Sequence, residues 1–251
     1  MLLEGKTAVI YGGGGAIGSA VARTFAREGA RVFLAGRTEP PLEKSAADIR
    51  DAGGRAEMAV FDALDEQAVN EHADAVATQT GSLDVSFNLI SFCEAPGMPL
   101  VDLAPDTVLE PVSVAVRSLM LSARAAARHM MRQRSGAILV FGGYADPWTG
   151  YYLGGLQAAF QAQEALRRQL ASELGAYGVR VISLQTGGIA ETLPAWVEGR
   201  ERIVADIEAR TMLGRSATLE DVGNVAAFAA SDRARSMTAT AFNITGGAEV
   251  D

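Results

Sequence analysis

The chain has 251 residues, 49% of them hydrophobic, a net charge of −8 and one cysteine. That length suits one large α/β domain over residues 1–251, and the acidic balance with scattered arginines argues against nucleic acid or an anionic membrane as partner. Cys93 excludes an internal disulfide, no apolar run reaches bilayer length, and a strand beginning near Met1 leaves no room for a leader, so a cytoplasmic location is expected.

Thr7 to Ile10 reads as a buried strand, and Ser19 to Glu28 as a helix with Ile17, Val21 and Phe25 at helical spacing. Between them lies Tyr11-Gly12-Gly13-Gly14-Gly15-Ala16-Ile17-Gly18. Glycines joining a strand to a helix N-terminus let an anionic phosphate approach unpaired N–H groups, and Gly13-x-Gly15-x-x-Gly18 has the dinucleotide spacing. Arg31–Ala35 is a second strand, followed by a helix from Pro40 to Asp51 that Gly53-Gly54 ends. Ala56–Phe61 is strand three, and Asp65 caps a helix to Gln79. Leu83–Phe87 is strand four, and a long helix runs from Thr107 to Arg134. Ala137–Phe141 is strand five, a helix spans Leu153 to Gly175, and Val179–Leu184 is strand six. Leu193–Ala209 reads as a helical lid within an insert over about 190–212. Thr218 starts a last helix to Ser231, and Thr238–Ile244 is strand seven. The alternation predicts an α/β fold of the Rossmann type: a doubly wound, seven-stranded parallel sheet with helices on both faces and a ligand crevice at the carboxyl ends of the strands.

The end of strand two bears on the cofactor. An acid there would bond the ribose hydroxyls. This chain has Gly36-Arg37-Thr38 instead, and a guanidinium with a second donor suits a 2′-phosphate, so NADP is expected over NAD. Asp62, just after strand three, is placed to hold the adenine amino group.

These features, with Leu83-Asp84-Val85-Ser86-Phe87-Asn88, Glu173-Leu174-Gly175-Ala176-Tyr177-Gly178-Val179-Arg180-Val181, Leu213-Gly214-Arg215, Ser231-Asp232 and Gly246-Gly247, make the chain resemble a single-domain short-chain dehydrogenase/reductase along nearly its whole length. Gly12-x-x-x-Ala16-x-Gly18 is similar to that family's loop. The resemblance places further cofactor contacts at Asn88, Thr186, Gly187 and Ile189, and implies a homo-oligomer, dimer or tetramer, built on the two long helices. Small faces such as Ala123, Ala126 and Ala127 suit close helix approach.

The family's catalytic groups are absent. The tyrosine position carries Leu156 and the lysine position Phe160, so Tyr-x-Ala-Ser-Lys becomes Leu156-Gln157-Ala158-Ala159-Phe160. The asparagine position is Ala115 and the serine position Gly143. Lys6 and Lys44 are the only lysines, so no register restores a tyrosine–lysine pair on that helix. Positioned acids contribute typically ~10²–10⁴-fold, so ordinary carbonyl reduction is expected to be weak. The resemblance therefore implies an NADP(H)-dependent oxidoreductase acting on a small organic molecule through a rerouted site; the alternative is a sensor or inactive partner subunit.

Replacement groups are few. Tyr144, Trp148, Tyr151 and Tyr152 approach the altered helix; Tyr152, four residues before Leu156, would share its face, while pocket lining is the plainer role for these rings. Asp146, Cys93 and Glu94 read as a loop cap, a small apolar filler and a surface charge, and Arg117 as a possible anion contact or a surface residue. His72 and His129, far apart on helices, read as solvated or capping residues, and no metal set is expected.

Overall fold

Alternation along β1 (Thr7–Tyr11) sets the architecture. Ala8 and Ile10 face one apolar core, Val9 and Tyr11 the other, and all five residues are buried. A strand covered on both faces belongs in a parallel sheet between two helix layers. The computed structural model describes residues 1–92, 97–144 and 147–250. The remaining strands are β2 (Arg31–Gly36), β3 (Arg55–Val60), β4 (Val85–Asn88), β5 (Gly136–Gly143), β6 (Val179–Thr186) and β7 (Thr240–Asn243). They form one parallel sheet in the order β3-β2-β1-β4-β5-β6-β7, the doubly wound arrangement expected from the sequence.

Helices α1 (Ala16–Arg27), α2 (Glu39–Asp51) and α7 (Leu219–Ala230) cover one face through Phe25, Leu42, Ile49 and Val222. Helices α3 (Glu66–Thr80), α4 (Pro105–Gln133) and α5 (Gly154–Leu174) cover the other through Val69, Leu119, Met130 and Leu174. Strand β1 pairs with β2 from Thr7↔Arg31 to Tyr11↔Ala35 and with β4 from Ala8↔Val85 to Tyr11↔Asn88. Strand order reverses between β1 and β4, which opens a crevice at their carboxyl ends. Asn88 holds that edge: its Nδ2 donates to Ser118 Oγ and Ser122 Oγ, both at 3.2 Å, and its Oδ1 accepts from Ile90 N at 3.0 Å.

Local chemistry moves several boundaries. Helix α1 starts at Ala16, because Gly15 in extended conformation already serves as its N-cap. Strand β4 starts at Val85, since Leu83 N is taken by Gln133 Oε1 at 2.9 Å. Asp65 caps α3 as expected, accepting from Gln67 N at 2.9 Å and Ala68 N at 3.2 Å, an arrangement worth about 1 kcal/mol. The segment 190–212 is helical only over α6 (Arg200–Ala209), after a short 3-10 turn at Ala190–Thr192. Pro194 removes a helix donor, and Gly199, at φ +69°, sets the late start. Ala123, Ala126 and Ala127 are buried within the chain itself, so their small size serves its own core.

Candidate active site

Two glycines are required where β1 meets α1. Gly12 has φ +84°, and a Cβ there would collide with the Leu89 carbonyl at the end of β4. A Cβ on Gly18 would collide with the Gly12 carbonyl, so the helix can sit against the loop only without one. The turn is fixed by Gly12 N and Gly13 N, both donating to Ala35 O, at 2.8 and 3.1 Å. The first turn of α1 has no side-chain cap and no acid, which leaves its N–H dipoles to an anion.

A cleft of about 660 Å³ opens from this loop. Gly12, Gly14 and Gly15 floor it, and Arg37, Thr38 and Asp62 line the side toward β2 and β3. Arg37 is exposed, and Thr38 stands at the N-cap of α2 without spending its hydroxyl on the cap. Asp62 Oδ1 accepts from Leu64 N at 2.9 Å, which shapes the turn carrying Ala63 and Leu64 along the same wall. Arg117 secures that wall from behind, its Nε donating to Leu64 O at 3.2 Å, so the guanidinium has a structural partner. This cradle, with bare backbone at the helix terminus and a cation at the far edge, fits the phosphates of a dinucleotide.

The opposite end is apolar. Phe92 lines the cleft and meets Phe160 edge-on, ring centroids 5.6 Å apart. The Phe160 ring in turn lies over Gly142 and Gly143: a Cβ on Gly143 would be 2.7 Å from Cε2, and one on Gly142 3.4 Å from Cδ1. Glycine at 143 and phenylalanine at 160 are therefore a matched pair, because the ring occupies the space a serine side chain would need. Leu156 is half-buried one turn earlier on α5, and Ala115 is fully buried on α4. Thr186, Gly187 and Ile189 follow one another at the end of β6, with Thr186 and Ile189 buried.

Trp148 and Tyr151, ahead of α5, pack toward α6. Trp148 and Tyr151 stack at 4.2 Å, Arg210 lies over the Trp148 ring at 4.8 Å, and Tyr151 Oη donates to Asp206 Oδ2 of α6 at 2.6 Å. Burial, and then the Asp206 hydrogen bond and charge, hold the Tyr151 phenol above its usual range, so it stays protonated. Arg210 also pairs with Glu249 at 2.6 Å. Tyr152 does not share the Leu156 face. The helix begins only at Gly154, and Tyr152 precedes it, 46% exposed and at φ +53°. Tyr144 lines a small cavity of about 220 Å³ with Gly143, Phe160 and Glu164. Cys93, Glu94 and Asp146 lie outside the described residues.

Sequence reasoning passed over two features. One turn beyond Phe160 on α5, Glu164 accepts from Ser183 Oγ of β6 and is paired with Arg167 at 2.8 Å, all three buried. A Glu and an Arg three apart on a helix was the available signal. His72, expected at the surface or at a cap, instead packs against Phe61 at 5.1 Å and Phe33 at 6.5 Å, and burial lowers its pKa to about 4. His129 makes a surface hydrogen bond, with Nε2 2.7 Å from Asp74 Oδ1. Among the described residues no group of three His, Cys, Asp or Glu side chains is arranged to hold a metal, and no helix is long and apolar enough to cross a membrane.

Comparison with known proteins agrees with this geometry. A family model described as enoyl-(acyl carrier protein) reductase matches residues 14–249. A cis-4-hydroxycyclohexanecarboxylate dehydrogenase from Sinomonas cyclohexanicum is 31% identical over 246 residues, covering 96% of each chain. An L-rhamnose 1-dehydrogenase (NAD(P)(+)) from Azotobacter vinelandii is 30% identical over 260 residues, covering 98% of each. A short-chain type dehydrogenase/reductase structure from Mycobacterium ulcerans superposes with a TM-score of 0.90 at 28% identity, over 99% of this chain and 91% of that one. With its parallel sheet, glycine turn and near full-length matches, the chain belongs to the short-chain dehydrogenase/reductase superfamily of NAD(P)-linked oxidoreductases.

Proposed function

We propose that this protein binds NADP(H) and reduces a small organic acceptor that needs no acid from the protein. The observation that carries the cofactor choice is Arg37 beside Thr38 at the rim of the cleft, where an acid would favour NAD. The glycine turn and the uncapped α1 terminus hold phosphate, Asp62 and Leu64 form the adenine wall, and the contacts proposed beyond the cleft are Thr186, Gly187 and Ile189 at the end of β6. The nicotinamide supplies hydride when bound. Leu156, Phe160 and Gly143 offer no proton there, and Tyr151 has its hydroxyl committed to Asp206. Acceptors already polarised, such as an iminium or a quinone, suit such a site, with any proton drawn from solvent. Tyr152 remains the nearest unassigned phenol in the sequence, and Tyr152→Phe tests whether it participates.

The paired rings of Phe92 and Phe160 favour a second reading, a nucleotide-binding sensor or inactive partner subunit. In either role we place the protein in the cytoplasm as a homo-oligomer, dimer or tetramer, formed on α4 and α5. Fluorescence titration separates the elements of the proposal. NADPH should bind at least tenfold tighter than NADH, and Arg37→Ala should remove that preference, since each tenfold is ~1.4 kcal/mol, within the reach of one charge-assisted phosphate contact. Equal affinity for the two would refute the cofactor assignment. Absence of turnover across iminium and quinone acceptors, with NADPH bound, would leave the sensor reading.

A further inference from the structure

The cavity of about 220 Å³ beside Phe160 is separate from the nucleotide cleft, and its inner wall is polar. Glu164 lines it at 9% exposure, accepting from Ser183 Oγ and, at 2.9 Å, from Arg167 Nε. Arg167 balances the charge of Glu164, yet a carboxylate has about four acceptor sites, so Glu164 keeps capacity for another donor. Gln185 lines the same cavity and is also 9% exposed. It stands two residues after Ser183 on β6, so its side chain points to the α5 side of the sheet. Its neighbour across the ladder is Gly142, which has no side chain to bond it. Among the described residues the Gln185 carboxamide has no hydrogen-bond partner, an arrangement that costs stability unless a ligand or solvent supplies one. Arg168 stands exposed at the mouth, and among the described residues it has no ion pair. Glu164 and Arg168 are four apart on α5, a spacing that allows them to bond each other, but Glu164 is held by Arg167 instead.

We propose that this cavity binds a small hydroxy carboxylic acid, with its hydroxyl between Glu164 and Gln185 and its carboxylate at Arg168. The inner group is a neutral donor because Arg167 already balances Glu164, and an ammonium there would be a buried charge without a counterion. The outer group is an anion because the free guanidinium at the mouth pairs best with a carboxylate. Side chains four apart on a helix stand about 5–6 Å from each other, which a short chain carrying both groups can span. The Phe160 ring and the Gly143 backbone form the side against which its carbons lie. At about 30 Å³ per water, the space suits roughly seven heavy atoms, the size of β-hydroxybutyrate. The site stands apart from the NADP(H) reading and does not depend on it.

The test is titration of the full chain with β-hydroxybutyrate, followed by ligand-observed NMR, with butyrate, butanediol and β-aminobutyrate as comparisons. β-Hydroxybutyrate should saturate with a Kd on the order of 1 mM, and butyrate and butanediol should each bind about tenfold more weakly, the value of one hydrogen bond to a charged group. Arg168→Gln should weaken β-hydroxybutyrate about tenfold and leave butanediol unchanged. Gln185→Leu should weaken both. Arg168 is exposed, so its variant keeps the fold. Gln185→Leu exchanges an unbonded carboxamide for an apolar side chain of similar size, and its urea midpoint should stay level or rise. Absence of saturable binding in the unaltered protein, the mark of a cavity that holds water only, would overturn the proposal. Affinity unmoved by either substitution would overturn it as well, by placing the ligand elsewhere. Tighter binding of β-aminobutyrate would overturn the assignment of a neutral donor.

Discussion

Glycines end β1 and β5 alike, and they are there for different reasons. At Gly12 and Gly18 the obstacle to a side chain is backbone: the Leu89 and Gly12 carbonyls, with φ +84° at Gly12. At Gly143 the obstacle is the Phe160 ring, which stands at ordinary contact distance from the Gly142 position. The first pair keeps a helix terminus bare, so that a ligand can reach it. The second makes room for the chain's own side chain. Repetition of a small residue in sequence thus marks a binding surface at one place and a filled one at another, and only the neighbours tell which.

Four changes probe that contrast. Gly12→Ala should be the most damaging, costing about 3 kcal/mol from positive φ and a backbone clash together, read from the urea midpoint, with nucleotide binding lost. On the opposite face of the sheet from α1, His72 ties stability to pH. Its charged form is disfavoured by burial, so the unfolded chain binds the extra proton between the ordinary pKa of 6.5 and the folded value of about 4. Stability should be level above that window and fall as pH drops through it, by as much as about 3 kcal/mol, and His72→Leu should flatten the fall. Gly143→Ser comes next, costing about 1–3 kcal/mol by overpacking. In a Phe160→Ala background the same serine should cost little, and a double-mutant cycle without coupling would show that the two positions are not matched. Tyr151→Phe is the mildest, removing one hydrogen bond to α6 for about 1 kcal/mol. Faster amide exchange confined to α6 is its expected mark.

The sheet was legible because each strand and helix carries its own period and its own stops. Asp65, Thr218 and the glycine turn signal their roles within a few residues, and local signals of that kind survive without knowledge of the fold. The Phe92–Phe160 contact joins residues 68 positions apart (160 minus 92) and has no local signature. The same holds for Tyr151 reaching Asp206 and for His72 lying between Phe33 and Phe61. Tyr152 was misplaced on the helix because Leu153 and Gly154 set a boundary that periodicity alone does not mark. The resemblance put the expected catalytic positions at Ala115, Gly143, Leu156 and Phe160; that the Phe160 ring lies over Gly143 required packing.

The buried Ser183–Glu164–Arg167 set bears on how freely such a site can be rewritten. It fastens α5 to β6 one turn beyond Phe160, inside the protein and away from the crevice. The orientation of the helix is thereby anchored from below, and the residues at 156 and 160 are tenants on a mast that stands without them. Exchanging them should leave the scaffold unaltered, provided position 143 is changed in the same step.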